Sequence, residues 1–284
     1  MVKYLFKFML ILHFSFAFCF LTGCNVDLLG FFAANDLDER LQSRNDFVFL
    51  SDEDRNWTTP LGDTYQFIVL SDTHIEDGNA FNLEKLADVT AGNTEIKFAV
   101  ITGDITQYGG ERDVRKFIEI ANSLGVPCYP VVGNHDIYFR NRDEKKGWNV
   151  WKNEIGSTNY RINAGSATII ILDSANSFFG KDQLDWLERE IKTGSSRVFV
   201  FSHSPLFVKG PADMQQMTDT KERARVLSIL KNRCDIMFMG HLHKHMENEA
   251  GNVRYISLAS YIDDREYYLV NVTQAGVTFE RKKL

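Results

Sequence analysis

The chain has 284 residues, 44% of them hydrophobic and 13% aromatic, with 25% charged, an ordinary globular composition that suits one large domain or two small ones. Five Pro, 19 Gly and no biased run exclude long disordered or collagen-like stretches, and four Cys are too few for a disulfide-built fold. Lys and Arg total 32 against 38 Asp and Glu, a net charge of −6 with no contiguous basic run, which excludes nucleic-acid binding driven by bulk charge.

In chain order, Lys3 and Lys7 come first, followed by an apolar stretch over residues 8–21 broken only by His13 and Ser15. A bilayer-spanning helix needs about 20 apolar residues and a secretory core about 7–15, so this length points to a signal peptide. Leu21-Thr22-Gly23-Cys24 resembles the lipobox of bacterial lipoproteins, in which cleavage before Cys leaves a thiol that is lipidated. Residues 1–23 are therefore expected to be removed and Cys24 to anchor the protein to a membrane of the bacterial envelope. An ordinary signal peptide or an uncleaved anchor would export it as well. Residues 24–61 read as a lipidated tether packing on the domain edge, with no chemistry of its own. Cys128 and Cys234 sit among apolar neighbours and read as buried, inert thiols, although export would permit a disulfide.

From Tyr65 onward two periods alternate. Short apolar runs rich in β-branched and aromatic residues predict buried strands over 67–70, 98–101, 129–132, 168–172, 198–201 and 236–239. Val114, Phe117, Ile118, Ala121 and Leu124 follow helical spacing up to a stop at Gly125, and helices are also predicted over 181–192 and 220–231. Residues 253–284 read as strands with no helix. The pattern predicts an α/β fold with largely parallel central strands and antiparallel ones at the end.

Of the six His after the signal segment, five follow the carboxyl end of a predicted strand. The strands run into Ser71-Asp72-Thr73-His74, Gly103-Asp104, Gly133-Asn134-His135-Asp136, Ser202-His203 and Gly240-His241-Leu242-His243. Open α/β sheets bind ligands at strand carboxyl ends. Carboxylate, imidazole and amide oxygen together suit Mn, Fe, Co or Zn. Seven such side chains exceed one tetrahedral shell, and two ions sharing a carboxylate is the economical count. The glycines before Asp104, Asn134 and His241 would let the backbone turn off the strand.

In this order the motifs are similar to those of the calcineurin-like metallophosphoesterase superfamily, over about residues 65–273. The resemblance implies two mixed β-sheets packed face to face with helices outside, a four-layer α/β/β/α sandwich, with residues 62–284 as the metallophosphoesterase domain. It also implies that Asp72, His74 and His243 hold one ion and Asn134, His203 and His241 a second, with Asp104 between them. His135 would be the catalytic, non-ligand His and Asp136 its orienting partner.

The implied chemistry is hydrolysis of a phosphate mono- or diester by a metal-held hydroxide, with His135 assisting the leaving oxygen. Ser202 and Ser204 then need no covalent role. The first motif ends in His74 rather than Gly, and Gln107 stands where purple acid phosphatases carry a Tyr. Lipid A pathway pyrophosphohydrolases carry Arg in place of His135. The remaining pattern looks most like the cyclic-nucleotide phosphodiesterase-type and broad phosphoesterase branch, many of whose members act on several esters. Candidate substrate contacts are Tyr138, Arg140 and Asn176, with Phe139, Arg142, Trp148, Trp151, Phe178, Phe179 and Lys209 in neighbouring loops. The alternative is a binding lipoprotein that keeps the fold without turnover.

Overall fold

The computed structural model describes residues 37–137, 147–208, 217 and 219–284. Its strands are β1 (Asn56–Leu61), β2 (Tyr65–Leu70), β3 (Ile96–Thr102), β4 (Cys128–Val131), β5 (Tyr160–Gly165) and β6 (Ala167–Ile171). They continue with β7 (Arg197–Phe201), β8 (Ile236–Met239), β9 (Met246–Ala250), β10 (Val253–Ser257), β11 (Glu266–Thr273) and β12 (Gly276–Lys283). One sheet has the order β1-β5-β6-β7-β8-β10-β9, the other β12-β11-β2-β3-β4. β2, β3 and β4 run parallel, as do β6, β7, β8 and β10, while β11 and β12 add antiparallel strands to the second sheet.

The central strands are buried on both faces, so each reads as an unbroken apolar run instead of an alternating one. In β2, Phe67 and Val69 enter the core between the sheets, and Ile68 and Leu70 face the opposite side. The inter-sheet core is aromatic. Phe67 stacks on Phe98 at 4.6 Å and meets Phe199 edge-on at 4.9 Å. Outside the five-stranded sheet lie α3 (Leu86–Ala91), α4 (Glu111–Ser123) and α5 (Trp148–Glu154). Their Leu86, Phe117, Trp148 and Trp151 join Ile68, Leu70 and Ile101 in one cluster. Outside the seven-stranded sheet lie α6 (Lys181–Glu190) and α7 (Thr220–Leu230), whose Leu184, Leu187, Val226 and Ile229 pack with Ile170, Val200 and Met237. The result is the expected four-layer α/β/β/α sandwich.

Residues 37–61 are more than a tether. The short helices α1 (Leu37–Gln42) and α2 (Asp52–Arg55) lead into β1, which pairs in parallel with β5, and Arg40 is fully buried. The folded unit therefore begins before residue 62. The carboxyl-terminal stretch, read without a helix, contains the single turn α8 (Tyr261–Asp264). Trp148 and Trp151, candidates for loop contacts with substrate, are core residues of α5. Cys128 and Cys234 are both buried and free, and burial pushes the Cys128 thiol up to about 12. No helix among the described residues is long and apolar enough to cross a membrane. Cys24 and the apolar stretch before it lie outside those residues.

Candidate metal centre

The ligand-type side chains arrive from both sheets. β2, β3 and β4 deliver Asp72, His74, Asp104, Asn134 and His135; β7 and β8 deliver His203, His241 and His243. The crevice therefore lies where the carboxyl ends of two packed sheets meet, not along the edge of one open sheet.

The backbone is strained to achieve this. Asp72, His74, Asp104, His241 and His243 all adopt positive φ, between 45° and 72°. Non-glycine residues reach that region at a cost of roughly 1–2 kcal/mol each, and such strain concentrates at functional sites. The preceding glycines serve chiefly close approach. A Cβ on Gly133 would stand 2.1 Å from the Asp104 nitrogen, and one on Gly240 would stand 2.0 Å from Ser71 Oγ.

Three groups of ligand atoms gather within 4.8 Å: Asp72, His74 and His243; Asp104, His203 and His241; and His74, Asp104 and His135. His203 illustrates why they suit a cation. Its Nδ1–H is directed at the Thr102 carbonyl, 2.9 Å away. Its Nε2 then faces Asn134 Oδ1 at 2.9 Å, Asp104 Oδ2 at 3.2 Å and His241 Nδ1 at 3.2 Å. Lone pairs converging in this way require a positive charge among them, either a proton or a metal ion. The Asn134 amide nitrogen is buried without a hydrogen-bond partner, which leaves the carbonyl oxygen as the atom turned into the cage. On the other side, His243 Nε2 lies 3.2 Å from His74 Nε2 and 3.4 Å from Asp72 Oδ1.

The electrostatic field agrees. Burial works against charge on His203, yet Asp104 and Asp72 hold its pKa up at about 9. Burial likewise opposes charge on His243, which Asp72 and Asp263 raise to about 9. Asp104 stays well below the usual carboxylate range: burial opposes its charge, but the surrounding imidazoles, His203 foremost, outweigh that opposition. The donor set thus fits a divalent or transition metal.

Two expected roles change. Asp136 does not orient the His135 ring. Its carboxylate accepts from the Gly133, Ile105 and Thr106 amides and from Thr106 Oγ1, at 2.8–3.2 Å, and so staples the Asp104 loop to the Asn134 loop. Burial and the neighbouring Asp104 raise its pKa to about 6. The His135 ring is oriented by a backbone group instead, with Nδ1 3.0 Å from the Gln107 carbonyl. Asn176 is buried, and its Oδ1 accepts from Arg40 Nη2 at 2.5 Å, so this oxygen serves the interior and not a substrate. Phe179 belongs to the core beside α6, with Phe178 packed against it. Ser204 Oγ donates to the Ser174 carbonyl at 2.7 Å, consistent with a loop role. Tyr138, Phe139, Arg140, Arg142 and Lys209 lie outside the described residues.

One residue was missed. Asp263 Oδ2 sits 2.7 Å from His243 Nδ1, a carboxylate partner of the kind that fixes the tautomer of a metal-binding His. The only signal was Ser260-Tyr261-Ile262-Asp263, which reads as a helix start. Ser260 does cap α8 by accepting from the Asp263 amide, while the Asp263 carboxylate reaches His243.

The chain is similar to known proteins in sequence and in fold. The sequence profile of the calcineurin-like phosphoesterase family matches residues 65–245. A Fibrobacter succinogenes protein named as a probable cyclic nucleotide phosphodiesterase is 31% identical over 192 residues, covering 62% of this chain and 72% of its own. The 3′,5′-cyclic adenosine monophosphate phosphodiesterase of Pseudomonas aeruginosa is 25% identical over 228 residues, 72% of this chain and 80% of its own. A probable glycerophosphodiester phosphodiesterase of Arcobacter nitrofigilis is 29% identical over 153 residues, 51% of this chain and 56% of its own. Among solved structures, a dimetal phosphatase from Danio rerio shares the fold, with a TM-score of 0.59 at 14% identity over 78% of this chain and 97% of its own. With most of its length matched by the family profile and its ligand-type side chains gathered at the sheet ends, the chain belongs to the calcineurin-like phosphoesterases and is a metal-dependent phosphoester hydrolase.

Proposed function

We propose that the protein hydrolyses phosphodiesters at a binuclear metal centre, with cyclic nucleotides as the favoured substrates, and that it works exported and tethered through Cys24. The observation carrying the first part is the placement of Asp104. It groups with His203 and His241 on one side and with His74 on the other, while His74 also groups with Asp72 and His243. Asp72, His74 and His243 would hold one ion, Asn134, His203 and His241 the other, with Asp104 shared. The activities for which the relatives are named favour diesters.

Cations bound there supply charge to the phosphoryl oxygens and make water acidic enough to act as a nucleophile near neutral pH. The chain's own residues do the rest. The Gln107 carbonyl holds Nδ1–H of His135, so its proton exchange falls to Nε2, which serves the leaving oxygen. The Asp136 staple keeps the two loops in register. A metal-reconstituted screen of monoesters, linear diesters, cyclic nucleotides and pyrophosphates is expected to show diester turnover at least about tenfold above the rest, a preference worth about 1.4 kcal/mol. Two bound ions with no turnover of any ester would refute the proposal.

Asp263→Asn is expected to weaken binding of the ion held by His243 by roughly 10–100-fold, read by titrating Mn²⁺ into metal-free protein. Unchanged affinity would remove Asp263 from the centre. Cys24→Ala is expected to shift the protein out of the membrane fraction or to block its maturation. The anchor reading does not survive if the variant still fractionates with membranes and matures normally.

A further inference from the structure

The segment ahead of the family-matched residues carries a guanidinium into the interior. Arg40 on α1 is fully buried; its Nε donates to Asp173 Oδ2 at 2.7 Å, and its Nη2 to Asp173 Oδ1 at 3.2 Å and Asn176 Oδ1 at 2.5 Å. Asp173 opens a turn in which Asp173, Ser174, Asn176 and Ser177 are all buried. A buried polar turn persists only if its groups are partnered. Gln183 on α6 grips the main chain of Asp173, accepting from its amide at 2.8 Å and donating to its carbonyl at 2.7 Å. The next residue reaches the metal centre: Ser174 Oγ accepts from the His203 amide at 3.0 Å and the Ser204 amide at 2.8 Å. His203 Nε2 is the atom facing Asn134 and Asp104.

A buried ion pair is a weak device for stability, because desolvation offsets most of its attraction. It is a strong device for geometry, since Arg grips both carboxylate oxygens in one plane. We propose that Arg40 is a positioning residue: it holds the residue 173–177 turn so that Ser174 fixes the backbone of His203, and the segment before the family domain thereby completes the metal centre. This rests on the metal-centre reading above. Without Arg40, the unpaired Asp173 carboxylate would draw the turn toward water and loosen His203.

The test is calorimetric titration of Mn²⁺ into metal-stripped, full-length protein, with thermal melting of the same metal-free samples. Wild type is expected to bind. Arg40→Met should weaken one Mn²⁺ binding event roughly 10–100-fold, and Arg40→Lys, which keeps the charge without the planar fork, should fall between the two. Ser174→Ala leaves the Arg40–Asp173 pair intact and should weaken the same event. Wild-type Mn²⁺ affinity in Ser174→Ala and Arg40→Lys would overturn the inference, even if Arg40→Met melts early or fails to fold, because Arg40 would then be a stability contact only. Wild-type protein that takes up no Mn²⁺ would overturn the metal-centre reading itself, which is a different result.

Discussion

Asp104→Asn is expected to abolish turnover and empty the metal centre at once. The carboxylate is buried, with Oδ2 3.2 Å from His203 Nε2 and 3.9 Å from His74 Nε2, and Oδ1 accepting from the His135 amide at 2.9 Å. Asn keeps the shape and the acceptor for that amide, so the loop remains in place. What it loses is the negative charge, in a position where, among the described residues, no other carboxylate falls in groups on both sides. Loss of a shared anionic ligand should lower kcat/KM for an aryl diester by at least about three orders of magnitude, equivalent to about 4 kcal/mol of transition-state stabilisation. Metal content by mass spectrometry should fall at both positions together, because the shared carboxylate would ligate each ion and offset the repulsion between two neighbouring cations. A variant that retains two ions and near-normal turnover would show that Asp104 bridges nothing.

How far such residues were legible follows from where their partners lie. The central strands were readable because they are buried on both faces and uninterrupted, and β2, β3, β4, β7 and β8 run into the Asp, Asn and His motifs. β5, with Arg161 and Asn163 turned outward, and β9, with Glu247 and Glu249 exposed, lack an apolar run and were invisible. The Trp residues of α5 resembled loop aromatics because only two of them mark a seven-residue helix whose buried face also needs Val150. At the site, motif order picked out the strand-end Asp, Asn and His side chains, and the fold brings them together. Asp136 shows where the same logic stops: adjacency to His135 suggested partnership, but the 3-10 turn at His135–Ile137 sends its carboxylate to the Asp104 loop instead. Arg40 had no local signal and Asp263 only that of a helix cap, which says nothing of His243, since their partners lie 133 and 20 residues away. Pairings of that kind are set by chain topology, which no motif encodes.

His135→Ala is expected to separate leaving-group chemistry from metal binding. The link from His135 to Asp104 runs through its backbone amide, so truncating the ring leaves that contact in place and metal content should stay at the wild-type level. The ring itself, seated on the Gln107 carbonyl and 4.7 Å from the His74 ring, is what the substitution removes. An alkoxide, such as the sugar oxygen released when a cyclic nucleotide opens, is a poor leaving group and depends on a proton from Nε2; its hydrolysis should slow by about 10²–10⁴-fold. p-Nitrophenolate leaves without that help, and turnover of its diester should fall by no more than about tenfold, within the loss expected from a small change in positioning. The ratio of the two losses is therefore the measurement. Equal losses would place His135 in substrate binding, whereas equal losses with falling metal content would make it a ligand in the group it forms with His74 and Asp104. Only a steep dependence on leaving-group pKa, with metal content unchanged, assigns the proton to His135.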